Sequence, residues 1–140
     1  MKIKKYIIER IIAGFIDYSI VIVITAFYIY NFGKLDNEGG YTITGVLALA
    51  PAILWFVYFI ISEVTIEATL GHIIVGLKPV DYKTNKPITL RQSIIRHLLD
   101  PIDYFFFLGL IGVLVIYNSS SSQRVGDLLA KTKVIKKKEV

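Results

Sequence analysis

The sequence predicts an all-α integral membrane protein with two full transmembrane helices, an amphipathic helix, a broken or re-entrant hydrophobic hairpin and a small cytoplasmic β element. The 140 residues are 54% hydrophobic, with a mean hydropathy of +0.60. The chain is therefore too apolar for an ordinary soluble domain, and too short for more than one compact unit, so we expect a single domain over 1–140. Two apolar runs, Ile11 to Tyr30 and Thr42 to Ser62, are each long enough to cross a hydrocarbon core of roughly 30 Å.

The first run is free of charge except for Asp17 near its middle. A carboxylate at that depth in lipid costs about 3 kcal/mol on insertion scales, so it needs a compensating partner and is a functional-site candidate. The basic residues before the run are typical of a signal peptide, but no small-x-small cleavage site follows it. We therefore expect a retained helix.

The second run is uncharged, and its Pro51 is expected to kink the helix or loosen its hydrogen bonds. The polar region that follows, Glu63 to Asp100, holds the predicted β element. His72 to Val80 is rich in β-branched residues and precedes a turn-like cluster, which favours a short strand and hairpin. Lys131 to Ile135 is a candidate for a second short strand.

Thr89 is expected to cap an interfacial amphipathic helix. Its apolar and polar side chains fall on opposite sides. The apolar side holds Leu90, Ile94, Ile95, Leu98 and Leu99, and the polar side holds Arg91, Gln92 and Arg96.

The distribution of basic residues predicts the orientation. The first loop, 31–41, holds one basic residue, whereas four lie at the start of the chain, five between Lys78 and Arg96, and six from Arg124 onward. By the positive-inside rule both termini and the central polar region are cytoplasmic. The third apolar segment, 101–117, must then turn back, with break points among Pro101, Gly109 and Gly112. The alternative is three straight spans with the basic tail, 118–140, outside.

Composition and motifs exclude several function classes. The chain has no cysteine, so disulfides and thiolate chemistry are excluded. Its net charge of +5 is explained by basic residues flanking apolar runs, which excludes nucleic acid as a partner. Glu63, Glu67 and His72 match no metal-binding motif, and the segment after Asp127 is too short and polar for an aspartyl protease dyad in the membrane. We expect no enzyme activity, no metal and no cofactor.

One face of the first helix carries Arg10, Ala13, Gly14 and Asp17. Small residues beside a polar one mark a helix–helix contact, so Asp17 is expected to point into the protein. Arg10 lies about 10 Å away along the axis, so we expect it to reach the headgroups or to pair elsewhere. The candidate partners of Asp17 are then cations of the amphipathic helix, namely Arg91, Arg96 and His97.

Two further groups of charges have simple interpretations. His97, Asp100 and Asp103 lie on nearly one face, for which interfacial solvation is preferred to a proton relay. Asp127 is expected to cap a helix or to pair with an arginine. The lysine tail, Lys136 to Lys138, is expected to bind anionic lipid.

Three segments of the chain resemble the RDD family of small membrane proteins. They are Arg-Ile-Ile-Ala-Gly-Phe-Ile-Asp from Arg10 to Asp17, Ala68 to Asp81, and Arg124 to Val134. The family is named for one arginine and two aspartates, and the resemblance implies Arg10, Asp17 and Asp127 for those roles. It also implies a bacterial plasma-membrane protein, multi-pass, that takes part in transport.

The chain departs from the family pattern at three places. Thr69-Leu70-Gly71-His72 replaces the usual Thr-Pro-Gly-Lys, so a basic contact there becomes pH-dependent. Gly126-Asp127 stands where His-Asp is common, and Ala130-Lys131-Thr132 replaces Ala-Gly-Thr. The named arginine and aspartates are unaffected.

The leading hypothesis is cation or proton exchange, or transport of another ligand, with Asp17 binding the ion or proton. Its charge partners or gate would be Arg10, Asp127, Arg91, Arg96 and His97. So short a chain would need a homo-oligomer or a membrane partner to form a pathway. The alternative is a membrane scaffold or accessory subunit, in which the buried charges only fix helix packing.

Overall fold

The computed structural model describes residues 6–105 and 109–137. The chain forms helices and short strands in the following order: α1 (Ile7–Phe32), β1 (Lys34–Leu35), β2 (Tyr41–Thr42), α2 (Gly45–Thr65), α3 (Leu70–Ile74), β3 (Leu77–Asp81), α4 (Leu90–Leu98), a π-helical turn (Pro101–Phe105), α5 (Leu110–Asn118), α6 (Val125–Ala130) and β4 (Thr132–Lys136).

Helices α1 and α2 are long and apolar enough to cross a membrane, judged by length and composition. They correspond to the two predicted spans. Helix α1 is longer than its apolar run at both ends, because Ile7 to Arg10 and the two residues after Tyr30 continue the helical hydrogen bonding. Beyond it, the predicted polar turn contains a two-residue antiparallel ladder between β1 and β2.

Helix α2 changes its winding three times, from 3₁₀ to α, from α to π, and back to α at Ser62. It begins with a 3₁₀ stretch, Gly45–Leu49, and becomes α-helical at Ala50. Pro51 therefore lies in the first α-helical turn, directly after the 3₁₀ stretch. The change of winding from 3₁₀ to α lies beside Pro51, at the place where a kink or loosened hydrogen bonding is predicted. A π-helical stretch, Phe56–Ile61, follows and includes Tyr58, which contacts α1.

The predicted β element is present as an antiparallel pair of β3 and β4, in a register from Leu77 opposite Lys136 to Asp81 opposite Thr132. The strand begins later than predicted, because His72 lies in the short helix α3. In this two-stranded sheet Pro79 pairs opposite Val134. The pairing joins the middle of the chain to its C-terminal segment.

Helix α4 begins at Thr89, whose hydroxyl accepts a hydrogen bond from the Gln92 N–H in a capping box, as predicted. Its amphipathicity is inverted relative to a soluble helix. Leu98 is 63% exposed, whereas Arg96 and His97 are buried. The apolar side faces outward and the polar side faces the protein interior.

After α4 the chain forms two short helical pieces that pack against each other. The π-helical turn Pro101–Phe105 and α5 approach so closely that a Cβ on Gly112 would lie 2.6 Å from the carbonyl oxygen of Asp103. Gly109 precedes α5 with a φ of +81°, a left-handed conformation that suits glycine. Whether this pair turns back within a membrane stays a prediction.

Candidate functional site

The interior of the protein contains a dense group of ionisable side chains. Ten of them are buried among the described residues, and they come from both ends of the chain and from its centre. They are Arg10, Asp17, Glu63, His72, Arg96, His97, Asp100, Asp103, Arg124 and Asp127. Buried charges are retained only when they are paired or hydrogen-bonded, so the pairing pattern identifies which groups are compensated.

Asp127 lies at the centre of this group. Its carboxylate accepts hydrogen bonds from both Arg10 and Arg96, and from the backbone N–H of Arg124 at 3.1 Å. The last contact caps α6. Burial opposes the charged form, but the three neighbouring arginines outweigh it and hold the pKa of Asp127 well below its ordinary value. Asp127 thus both caps a helix and pairs with arginines, the two roles that the sequence predicts for it.

Arg10 pairs with Asp127 across most of the sequence. It is buried, and it also donates to the backbone carbonyl of Ser122. The expectation that Arg10 reaches the headgroups is therefore wrong, and its alternative, pairing elsewhere, is what the structure has. Because Arg10 lies near the start of α1, this ion pair joins the beginning of that helix to the C-terminal segment.

A second cluster is formed by Glu63 near the end of α2. Its carboxylate accepts from Arg96 Nη2 at 3.1 Å and from the Ser93 hydroxyl at 2.9 Å, and His97 Nε2 lies at 3.1 Å. Burial disfavours charge on His97, but Glu63 and Asp100 more than offset this and raise the pKa of His97 to about 9. His97 is therefore a cation at neutral pH.

The network continues from His97 through Asp100 to Arg124. Asp100 Oδ2 lies 2.7 Å from His97 Nδ1 and accepts a hydrogen bond of 2.6 Å from the Tyr18 hydroxyl, while its other oxygen lies 2.8 Å from Arg124 Nη1. Asp103 accepts from the first N–H groups of α6 at 3.0 and 2.9 Å. The predicted interfacial solvation of His97, Asp100 and Asp103 is wrong, since all three are buried.

The charges of this network balance. Three arginines and protonated His97 supply four positive charges, and the carboxylates of Glu63, Asp100, Asp103 and Asp127 supply four negative ones. Asp17 and His72 stand outside this balance. Asp17 is therefore a buried carboxylate with no permanent cation among the described residues.

Asp17 is held by hydrogen bonds in place of an arginine. It accepts from the Tyr58 hydroxyl at 2.7 Å, the Thr69 hydroxyl at 2.6 Å and the Gly71 N–H at 2.7 Å. His72 Nδ1 lies 3.5 Å from its Oδ2. Gly71 is required at this position, because a Cβ would lie 2.2 Å from the carbonyl oxygen of Ala13.

The predicted partners of Asp17 are therefore wrong. Arg96 contacts Glu63 and Asp127, His97 contacts Glu63 and Asp100, and Arg91 is exposed. The reason is that α4 directs its polar side toward α2 and α6, while α3 packs against α1 at Asp17.

His72, where the sequence predicts a pH-dependent basic contact, lies beside Asp17. The Thr69 hydroxyl lies between them, 2.6 Å from Asp17 and 2.9 Å from His72 Nδ1. When Thr69 donates its proton to the carboxylate, its oxygen accepts from the Nδ1–H of the imidazole. Burial lowers the pKa of His72, although Asp17 acts in the opposite direction. The net shift of the His72 pKa is downward, which favours the neutral imidazole beside Asp17.

Sequence reasoning gave Glu63 and His72 only a weak metal-binding interpretation and assigned no role to Arg124. Glu63 is engaged by Arg96, and Glu67 pairs with Lys78 at 2.9 Å. Within the described ranges, no group of three or more potential ligands has a geometry suited to a metal ion. The signal for His72 was present in the Thr69-Leu70-Gly71-His72 segment, where the resemblance places a basic residue.

The model of the RDD family matches residues 6–131, which is most of the chain and includes every ionisable side chain of the buried group. The searches of curated proteins and of solved structures give no match. With two apolar helices and this match, the chain is a membrane protein that belongs to the RDD family.

Proposed function

We propose that this protein takes part in proton-coupled cation exchange or transport, with the proton carried by the Asp17–His72 pair. The observation that carries the proposal is the charge balance of the interior. Four cations neutralise four carboxylates elsewhere, so among the buried carboxylates of the described residues Asp17 is the one without a permanent counter-charge. A proton or a small cation is the ligand that such a carboxylate binds most favourably.

The contacts around Asp17 support the exchange of a proton or cation at this carboxylate, because they do not include a fixed ion pair among the described residues. Asp17 has three hydroxyl or N–H donors, which hold its oxygens in position without neutralising them. His72 reaches it through Thr69, so a proton can be shared along a short chain of polar atoms. A lysine at position 72 would instead compensate the carboxylate at every physiological pH.

We also propose that both termini lie on the cytoplasmic side, with 101–117 as a hairpin that enters the membrane and returns. The ion pair between Arg10 and Asp127 ties the start of α1 to the C-terminal segment, which favours the same side for both. The pairing of β3 with β4 ties that segment to the central polar region. The positive-inside rule then makes that side cytoplasmic.

Two spans and a hairpin enclose no continuous pathway by themselves, so we propose a homo-oligomer or a membrane partner as the transporting unit. Helix α1 presents an apolar outer face that another chain could cover, since Ile8 is 70% and Phe15 is 75% exposed. Lipid covers such a face in a monomer. In an oligomer part of it would pack against a second copy.

The test is a flux measurement in proteoliposomes with an imposed pH gradient. The wild type should show cation-dependent dissipation of the gradient, and Asp17→Asn should abolish it while insertion and helicity are retained. The matched control is Asp36→Asn, which removes the same charge from the short loop between α1 and α2. Equal flux from the wild type and Asp17→Asn would refute the proposal.

A scaffold or accessory role is the second candidate, and the exact pairing of the other eight charges favours it. In that role the network only fixes the packing of helices, as buried polar groups do in some proteins. Asp17→Asn would then change the melting temperature in detergent and the recovery of a membrane partner. Proteoliposomes of the wild type would show no flux above empty vesicles.

A further inference from the structure

A cavity of about 300 Å³ lies between α1 and the hairpin formed by the π-helical turn and α5. It is separate from the Asp17–His72 pair. Its walls are apolar over most of their area, with Ile11, Phe15, Val113 and Ile116 among them. Its polar end is formed by Arg10, Asp103 and Arg124. This volume is at the lower end of the range for ligand pockets.

The cavity opens toward the side that lipid would occupy. Phe15, on its rim, is 75% exposed, and Ile11 is half exposed. Tyr18 and Tyr104 are the other polar side chains among its described lining residues. A ligand can therefore enter laterally from the bilayer, with an apolar part against the walls.

The charged end contains an N–H that lacks an acceptor. Arg124 is 3% exposed, and within the described part of the chain its Nε–H makes no hydrogen bond. The carboxylate of Asp103 lies 3.6 Å from Nε, and its two oxygens already accept from the N–H groups of Val125 and Gly126. A buried guanidinium N–H without a partner is costly, and an anionic oxygen is its strongest acceptor.

The depth of the cavity matches one leaflet of a bilayer. A hydrocarbon core of about 30 Å takes about 20 of the 26 residues of α1, which leaves about three beyond each end. Arg10, the fourth residue of the helix, then lies at the edge of that core. From Arg10 to Tyr18 the cavity follows α1 for about 12 Å toward the membrane centre.

We propose that this cavity binds one phospholipid with a net negative headgroup, its phosphate against Arg124 and one acyl chain along the apolar walls. The polar end favours an anionic oxygen, since Arg124 lines it and its Nε–H has no acceptor among the described residues. The phosphodiester supplies the oxygen acceptor that Arg124 lacks. The lateral opening and the depth both suit an acyl chain, whereas a water-soluble anion would leave the apolar walls uncovered.

The first experiment is native mass spectrometry of the full chain in mild detergent, supplied with phosphatidylglycerol or with phosphatidylcholine of the same acyl chains. One bound phosphatidylglycerol per chain is expected, with phosphatidylcholine retained about tenfold less, equivalent to about 1.4 kcal/mol. Val113→Phe fills the cavity and should reduce retention of phosphatidylglycerol about tenfold. Leu114→Phe, on the next residue and outside the cavity, should retain it fully. Equal retention of both lipids, or by both variants, would overturn the proposal.

A second measurement uses the wild type, so it does not depend on the folding of a variant. Phosphatidylglycerol with a photoreactive acyl chain is incorporated into vesicles with the protein, and the labelled residues are mapped. Labelling is expected at Ile11 and Val113 above that at Ile12 and Leu114, which are exposed but lie outside the cavity. Uniform labelling would show surrounding lipid only and would overturn the proposal. A dimer of the protein, seen by cross-linking or native mass spectrometry, that excludes lipid from the cavity and is lost in Val113→Phe would also overturn the proposal.

Discussion

Substituting Asp127 by asparagine tests whether the interior is a cooperative charge network. The change keeps the size of the side chain but removes the negative charge that Arg10 and Arg96 share. It also weakens the cap of α6, where Asp127 accepts from the Arg124 N–H. Removing one partner of a buried ion pair typically costs about 3–5 kcal/mol, because the remaining charge is left uncompensated.

This loss should appear as a large change in thermal stability. At about 3–4 °C per kcal/mol for a chain of 140 residues, Asp127→Asn is expected to melt about 10–20 °C below the wild type in detergent. Glu38→Gln is the control, since it removes the same charge at an exposed position and should change the free energy of unfolding by less than about 0.5 kcal/mol. Circular dichroism and intrinsic fluorescence follow the transition.

A double-mutant cycle assigns the effect to the ion pair. With Arg10→Gln added to Asp127→Asn, the combined loss should be smaller than the sum of the single losses by about 1–3 kcal/mol, because both changes remove one shared contact. Simple additivity would contradict the direct coupling of Arg10 to Asp127. A melting temperature of Asp127→Asn equal to that of Glu38→Gln would contradict the network as a whole.

Two further predictions concern single positions. The fold raises the pKa of His97 from 6.5 to about 9, so protonated His97 stabilises the fold fully below pH 6.5. This stabilisation, about 3 kcal/mol, is lost as the pH rises through 9. In His97→Gln, the free energy of unfolding should no longer change by this amount between pH 6.5 and 9. Lys131 ends α6 with a φ of 56°, a left-handed conformation that is unfavourable for lysine, so Lys131→Gly should raise the free energy of unfolding by about 0.5–1 kcal/mol. Lys133→Gly in β4 is the control and should lower it, and stabilisation by both would refute this explanation.

The elements that the sequence predicted well are those whose signals are local. Apolar runs predict both long helices, Thr89 predicts the start of α4, and β-branched residues predict β3 and β4. These features depend on hydropathy, capping and residue type over a few positions. The start of β3 was misplaced, because the tertiary contact of Gly71 with α1 holds the preceding residues in a helix.

The pairing of the charges could not be predicted in the same way. Periodicity placed Asp17 on the inner face of α1 correctly, since it is 1% exposed. It carries no information on which segment lies opposite, and Asp17 and its partner His72 are separated by 54 intervening positions. The cations of α4 are charged and lie near the expected membrane surface, which is the reason for predicting them as partners. In the structure Arg96 is paired with carboxylates of α2 and α6, which lie closer to it.

The inverted arrangement of polar and apolar surfaces explains why so many charges are buried in so small a chain. Apolar side chains are most stable against lipid, so α1 and α4 turn theirs outward and the polar ones converge inside. Converging charges are tolerated only if they cancel, and eight of them do. Such cancellation fixes the fold and, apart from the Arg124 Nε–H that has no acceptor among the described residues, leaves those groups little freedom to bind a ligand. A function that depends on binding an ion or a proton therefore falls to Asp17 and His72, the pair that the network leaves uncancelled.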